Sequence, residues 1–393
     1  MSRPPASSAP LPPAVRALGW TSFLTDLSSE AIYPLLPGFI RSLGGTSVEI
    51  GLVDGLANAV AAVARLPAGL ASDRIGRRPL VLLGYGLSAL ARPFMGLVVT
   101  PPGVILVRAI DRFGKGIRSA PRDALVVDLA APEIRGRAFG HIRALDHAGA
   151  AVGPLVASAF LLAFPGRERW LFLLALLPGV ATLAVIWRFV REPPGRPTPA
   201  GVTTRPLMGR QGLLLVAVAI WALGASSEQF LLLRAADLGV RAEFVPLVWL
   251  GMSLAKGAAA LVAGRSTDRR HPAAVLGAGW LLFAAAYAGL AVSGGLATTL
   301  PLLGLVAVAY GLAEPAERAL VAALAPEGRS GGAFGWYAFV QGVMALPAGL
   351  LAGWLWIRGA GAAFAATAGL ALAAAGLLAW VAGVTGWRTA ESR

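Results

Sequence analysis

Ionisable side chains stand inside apolar sequence at spacings that suit proton and ion chemistry. Asp26 and Glu30 lie four residues apart within the apolar stretch 15–40. On a helix they share one face. A carboxyl in a low-dielectric setting can gain and lose a proton near neutral pH, which is what a proton-coupling group must do. A structural ion pair with a nearby base would equally account for Asp26. Glu228 stands in a second copy of the Ser-Ser-Glu triplet that contains Glu30. The stretch 103–125 carries Arg108, Asp111, Arg112, Lys115, Arg118, Arg122 and Asp123. Its basic residues step by four, three, three and four, forming one stripe along a helix. Arg118, Arg122 and Asp123 can reach an interface by snorkelling. Arg112 and Lys115 are too central for that and must pair with carboxylates or meet an anion.

Two further signals concern residue choice. Of 34 basic residues only Lys115 and Lys256 are lysines, and both fall inside apolar stretches. A buried ammonium can discharge where a guanidinium cannot, so these sites suit a compact or dischargeable cation. Glu314, with Glu317 and Arg318, places further charge in the stretch 298–321. His141, Asp146 and His147 raise metal binding or proton relay. The histidines are six apart and off one helical face, so the charged entrance of a helix is the reading adopted. No cofactor and no metal site is expected: cysteine is absent, and there is no Walker-type glycine loop, HExxH pair or serine elbow. The chain is not expected to be an enzyme.

The elements that must position these groups are membrane helices. Hydrophobic residues make up 56% of the 393 and charged residues 14%, with mean hydropathy +0.69. Twelve apolar segments can be placed, each near the roughly 20 residues that cross a bilayer. The expected fold class is therefore all-α, with twelve transmembrane helices in two six-helix halves. The net charge of +14 follows the loops rather than a soluble basic domain, so lipid rather than nucleic acid is the expected partner. One set of alternate loops holds Arg74, Arg77, Arg78, Arg135, Arg137 and nine more arginines; the other holds Arg41, Arg167, Arg169, Arg234, Arg241 and Arg358. The rich side should be cytoplasmic, with both termini and the central linker. The expected location is the cytoplasmic membrane.

The two halves are copies. Asp73-Arg74 returns as Asp268-Arg269 and Ala138-Phe139-Gly140 as Ala333-Phe334-Gly335, both 195 residues on. Six spans per half is an even number, so the copies are parallel repeats, an architecture of transporters. The expected divisions are a disordered tail at 1–14, a half at 15–190, a linker at 191–210, a half at 211–383 and a cytoplasmic tail at 384–393.

At Gly69, Asp73, Arg74, Gly76, Arg77 and Arg78 the chain resembles the major facilitator superfamily, matching its loop signature between helices 2 and 3. A worn copy holds Asp268 and Arg269. The resemblance implies a conformational latch in which this network holds one end-state of the cycle. Gly140, Gly149, Gly153 and Pro154 resemble the fifth-helix signature of drug:proton antiporters within that superfamily, with Ala157 and Ser158 in place of its last glycines. Helix packing alone also favours small residues at such spacings. Arg112, Gly116 and Ala120 fit a helix-4 motif of the same exporters, which implies a part in proton coupling for Arg112. The resemblance further implies a cavity lined by helices 1, 4, 7 and 10 and a monomer. The function expected is secondary active transport by alternating access, as proton-coupled export of a small organic molecule or drug. Import of an organic anion, export of a divalent metal through carboxylates, and a non-transporting membrane sensor are the alternatives.

Overall fold

In lipid every backbone N–H and C=O must be satisfied within the chain, and long Ala-, Leu-, Gly- and Val-rich runs do so as helices. A computed structural model of the chain describes residues 10–131, 134–191, 209–225, 227–267, 271–325 and 330–384. Among these residues there are fifteen α-helices. They are α1 (Pro13–Ile32), α2 (Leu36–Ser42), α3 (Ser47–Ile75), α4 (Arg77–Phe94), α5 (Pro101–Leu129), α6 (Arg135–Ala163), α7 (Glu168–Leu174), α8 (Leu176–Phe189), α9 (Arg210–Gly224), α10 (Gln229–Asp237), α11 (Val245–Thr267), α12 (Pro272–Val292), α13 (Leu296–Leu324), α14 (Ser330–Trp356) and α15 (Ala360–Val384). Prolines open α1, α5 and α12 in the first turn, where no N–H is needed.

Among the described residues ten segments are long and apolar enough to cross a membrane. The other two of the expected twelve are the ones that carry the charges singled out above. One is the α1–α2 pair, interrupted by a 3-10 turn at Tyr33–Leu35 that contains Pro34. The other is α5, whose 29 residues rise about 43 Å, ample for a hydrocarbon core of about 30 Å.

The chain forms two compact units: Met1–Gly45, Leu56–Ala200 and Ala242–Leu247, and Thr46–Gly55, Gly201–Arg241 and Val248–Arg393. These N- and C-terminal units differ from a simple cut at the linker, because the start of α3 belongs to the C-terminal unit. There Ser47 donates to the Gly353 carbonyl of α14 at 2.8 Å. The segment 242–247 belongs to the N-terminal unit, where Ser158 of α6 donates to the Glu243 carbonyl at 2.5 Å.

The duplication is visible in the packing. In the N-terminal unit α1 packs on α6 and α8, and α4 on α5 and α8. In the C-terminal unit α9 packs on α14 and α15, and α12 on α13 and α15. The helices α4, α5 and α6 begin at Arg77, Pro101 and Arg135; α12, α13 and α14 begin at Pro272, Leu296 and Ser330, each 195 residues later. The fillings differ. The C-terminal unit is cored by aromatic rings, with Trp221 stacked on Trp280 at 5.1 Å and Phe283 against Trp221 and Tyr287 at 4.4 Å each. The N-terminal unit holds charge in the corresponding helices.

Candidate functional site

In the N-terminal unit the site is built on α1 and α5. Asp26 and Glu30 are half-buried on α1, while Lys115 on α5 is exposed although it sits in mid-helix. Asp26 lies in the electrostatic field of Asp146 on α6, Lys115, Glu30 and Arg92 on α4. Lys115 in turn interacts with Arg112, Asp26, Arg118 and Glu30. Three carboxyls, an ammonium and a guanidinium on four helices therefore meet around Asp26. Such a group can exchange a proton against a fixed positive field, or bind a charged solute by displacing one of its own pairs.

The helix-5 residues set how close α6 comes to that pair of carboxyls. A Cβ on Gly153 would stand 2.7 Å from the Leu27 carbonyl oxygen and 3.1 Å from the Glu30 Cβ. One on Gly149 would run into the Phe23 carbonyl. Glycine at both places lets α6 lie on the backbone of α1, beside Asp26 and Glu30. Pro154 lies within α6, and Gly140 has nothing near its Cβ position.

Arg108 and Asp111 belong to a different group. Asp111 accepts from Arg92 Nε at 3.1 Å and from Arg108 at 3.2 Å. All three side chains are buried. Arg92 also bonds the Thr25 carbonyl at 2.8 Å and the Ser28 hydroxyl, and Arg108 lies over the Tyr33 ring at 5.4 Å. Arg118 donates to Ser88 at 2.6 Å, and Ser88 to the Asp111 carbonyl at 3.0 Å. This network ties α1, α4 and α5 together and takes Arg108, Asp111 and Arg118 from the stripe on α5, while Arg112 acts electrostatically on both Asp111 and Lys115. Arg92 was not anticipated, although a lone arginine in the apolar stretch 79–99 was a signal that could have found it.

In the C-terminal unit the copy of the Ser-Ser-Glu helix is broken. Where α1 runs on through Ser28–Glu30, the chain leaves α9 at Gly224 and restarts with Glu228 as the N-cap of α10. Ser227 accepts from the Gln229 N–H at 3.2 Å and donates to Asp54 at 2.6 Å. Glu228 lies 3.9 Å from Lys256 on α11, whose ammonium is 5.0 Å from the ring centroid of Tyr310 on α13. Both lysines of the chain are thus in electrostatic contact with a predicted carboxyl. Glu314 pairs with Arg318 along the exposed face of α13 at 2.8 Å. Its neighbour Glu317 is buried and bonded to Trp280, Tyr337 and Gln341, a grouping the sequence did not reveal. Among the described residues no cluster of three or more His, Asp and Glu side chains could hold a metal ion.

Of the latch residues, Gly76 turns the chain from α3 into α4 with φ 94° and ψ 157°, a region open essentially to glycine alone. Arg77 pairs with Asp128 and bonds the Ala124 carbonyl at 2.6 Å, and Arg78 reaches the Trp187 carbonyl at 3.1 Å. These partners lie on α5 and α8 of the same unit. Gly69, with Ala120 Cβ 3.5 Å from its Cβ position, and Asp73 and Arg74 close α3. Asp268 and Arg269 fall outside the described residues.

A twelve-segment helical chain with a six-plus-six repeat and charged spans has a recognisable counterpart in sequence. The profile of the Major Facilitator Superfamily matches residues 18–233. The chain belongs to the Major Facilitator Superfamily. An uncharacterized MFS-type transporter of Methanocaldococcus jannaschii is 32% identical over 353 residues, covering 87% of this chain and 88% of that one. A Multidrug resistance protein MdtH of Photorhabdus laumondii is 30% identical over 167 residues, 42% of this chain and 40% of its own length. Among solved structures, a bacterial homolog of the human lysosomal transporter Spinster, in an inward-facing and occupied conformation, shares the fold. Its TM-score is 0.79 at 16% identity, covering 96% of this chain and 98% of that one. The superfamily and fold make the chain a multi-pass membrane transporter.

Proposed function

We propose that this transporter exports a small organic molecule in exchange for protons, by alternating access of its two units from the cytoplasmic membrane. In this reading Glu30, with Asp26, carries the coupling proton. Lys115 and Arg112 balance the carboxyls' charge in the empty state or meet an anionic group of the substrate, and Lys256 stands beside Glu228 in the C-terminal unit in the same way. The observation that carries it is the placing of Asp26 among Glu30 of its own helix, Lys115 of α5 and Asp146 of α6, with Gly149 and Gly153 bringing α6 onto the backbone of α1 beside it. Ionisable groups inside spans cost about 2.5–3.5 kcal/mol each and are kept where they act. Export is supported by the partial likeness to a multidrug resistance protein and by the glycines that bring α6 onto α1. The Arg-rich loops support cytoplasmic termini, and Gly76 with Arg77 and Arg78 supports a latch at the α3–α4 turn.

Reconstituted vesicles with an imposed pH gradient test this. Glu30→Gln should lose uphill movement of substrate while keeping downhill exchange. Uphill movement at the native rate in that variant would remove Glu30 from the coupling. The excess of cations along α5 favours a second reading, import of an organic anion; the same vesicles separate the two by the direction of flux under an inward proton gradient.

A further inference from the structure

Glu317 is a carboxyl that the reading above leaves unused. It is buried on α13 and held from three sides. Trp280 Nε1 of α12 donates to Oε1 at 3.2 Å. Tyr337 of α14 donates its hydroxyl to Oε2 at 2.6 Å, and Gln341 Nε2 donates to the same oxygen at 3.0 Å. Gln341 Nε2 is also 2.9 Å from the Tyr337 hydroxyl oxygen. Every donor is neutral. The charged groups facing it are few: Glu314 and Arg318 on its own helix, paired with each other on the exposed face, and the phenols of Tyr337 and Tyr310. From α12 the contact is Trp280, which does not titrate. Among the described residues no ion pair to Glu317 is formed, in contrast to Asp111, which two guanidiniums hold.

The repeat sharpens the contrast. Shifted by 195 residues, Trp280, Glu317 and Gln341 fall on Tyr85, Arg122 and Asp146. In the N-terminal unit Arg122 interacts electrostatically with Tyr85, Asp123 and Asp146. The same three helix positions thus build a cationic centre in one unit and an anionic centre in the other. The cationic one has carboxylates to balance it. The anionic one has hydrogen-bond donors and, among the described residues, no ion pair.

We propose that Glu317, in its cage of Trp280, Tyr337 and Gln341, is a reversible proton-binding site of the C-terminal unit. A buried carboxylate without a counter-charge is costly, and neutral donors offset only part of that cost. A proton is the smallest counter-charge that fits a space already filled by three donors. On uptake from water, the O–H formed on Oε2 donates to the Tyr337 oxygen, and Tyr337 turns its own hydrogen away. The bond from Trp280 to Oε1 remains, now to a carbonyl oxygen. All three charge-assisted bonds, one from α12 and two from α14, become neutral ones of roughly half the strength. Protonation therefore loosens α13 from both neighbours, and most from α14, which supplies two of the three bonds. This site is separate from the coupling assigned to Asp26 and Glu30, and its test needs neither substrate nor gradient.

Infrared difference spectra of the full chain in lipid nanodiscs, recorded across the range of about pH 5 to 9 in which buried carboxyls titrate, read the site directly. A protonated-carboxyl C=O band should grow as the pH falls and be missing from the Glu317→Gln variant. If no Glu317-dependent band appears, or if it is present and unchanged at every pH, the proposal is overturned. Should Glu317→Gln fail to fold, Tyr337→Phe keeps the carboxyl and removes one donor. The band's midpoint must then move along the pH axis, and an unmoved midpoint overturns the proposal equally.

Discussion

Replacing Asp111 by Asn tests whether the buried network of α4 and α5 is structural. Asn keeps the shape and removes the charge. Arg92 at 3.1 Å and Arg108 at 3.2 Å then lose the carboxylate they share, with Arg118 nearby adding to the imbalance. Removing one partner of a buried pair costs about 3–5 kcal/mol, because a desolvated charge is left behind. At about 2–4 °C per kcal/mol for a unit of this size, melting should fall by about 6–20 °C. The assay is fluorescence-detected size exclusion of the detergent-solubilised protein after heating. A companion variant, Arg92→Met with Arg108→Met and Asp111→Leu, removes all three charges together and should recover most of the loss. If Asp111→Asn melts with the wild type but changes the KM of transport, Asp111 is a substrate group and the structural assignment fails. If the triple variant is no more stable than the single one, unbalanced charge is not the cause.

Gly153→Leu should destabilise the α1–α6 contact by more than the usual overpacking cost of about 1–3 kcal/mol, since its Cβ alone meets the Leu27 carbonyl at 2.7 Å. Gly140→Ala in the same motif, with open space around it, should leave melting unchanged. At Gly76 both Ala and Asn should cost about 1–3 kcal/mol, because ψ 157° with φ 94° lies outside the left-handed helical region that Asn tolerates; rescue by Asn would contradict the geometry. A double-mutant cycle on Glu228→Gln and Lys256→Met should give a coupling of about 0.2–1 kcal/mol, as the pair is partly exposed and 3.9 Å apart.

The membrane class, the two copies and the superfamily were legible in the sequence because each depends on composition or on order along the chain. Apolar runs must become helices in lipid, whatever their neighbours. A shared offset of 195 residues shows duplication without any coordinates, and it held at the starts of α12, α13 and α14. The break before α10 was not legible. Ser28-Ser29-Glu30 and Ser226-Ser227-Glu228 are the same letters, and only in the second does a serine bond Asp54, a residue far away in sequence.

For the charges, the sequence determined which residues stand in the membrane and that each must find a partner or a task. It could not assign the partners. Asp111 and Asp26 look alike as acids beside a basic stripe, yet one is enclosed by Arg92 and Arg108 while the other faces Lys115 and Asp146. Glu317 stands in sequence beside Glu314 and Arg318 as one more charge in an apolar stretch, and is caged by an indole, a phenol and an amide. The reason is physical. A carboxyl's chemistry is set by the atoms within a few ångströms, and here those atoms come from helices separated by tens of residues. Helix crossing, which small residues such as Gly149 and Gly153 permit, decides which of them meet.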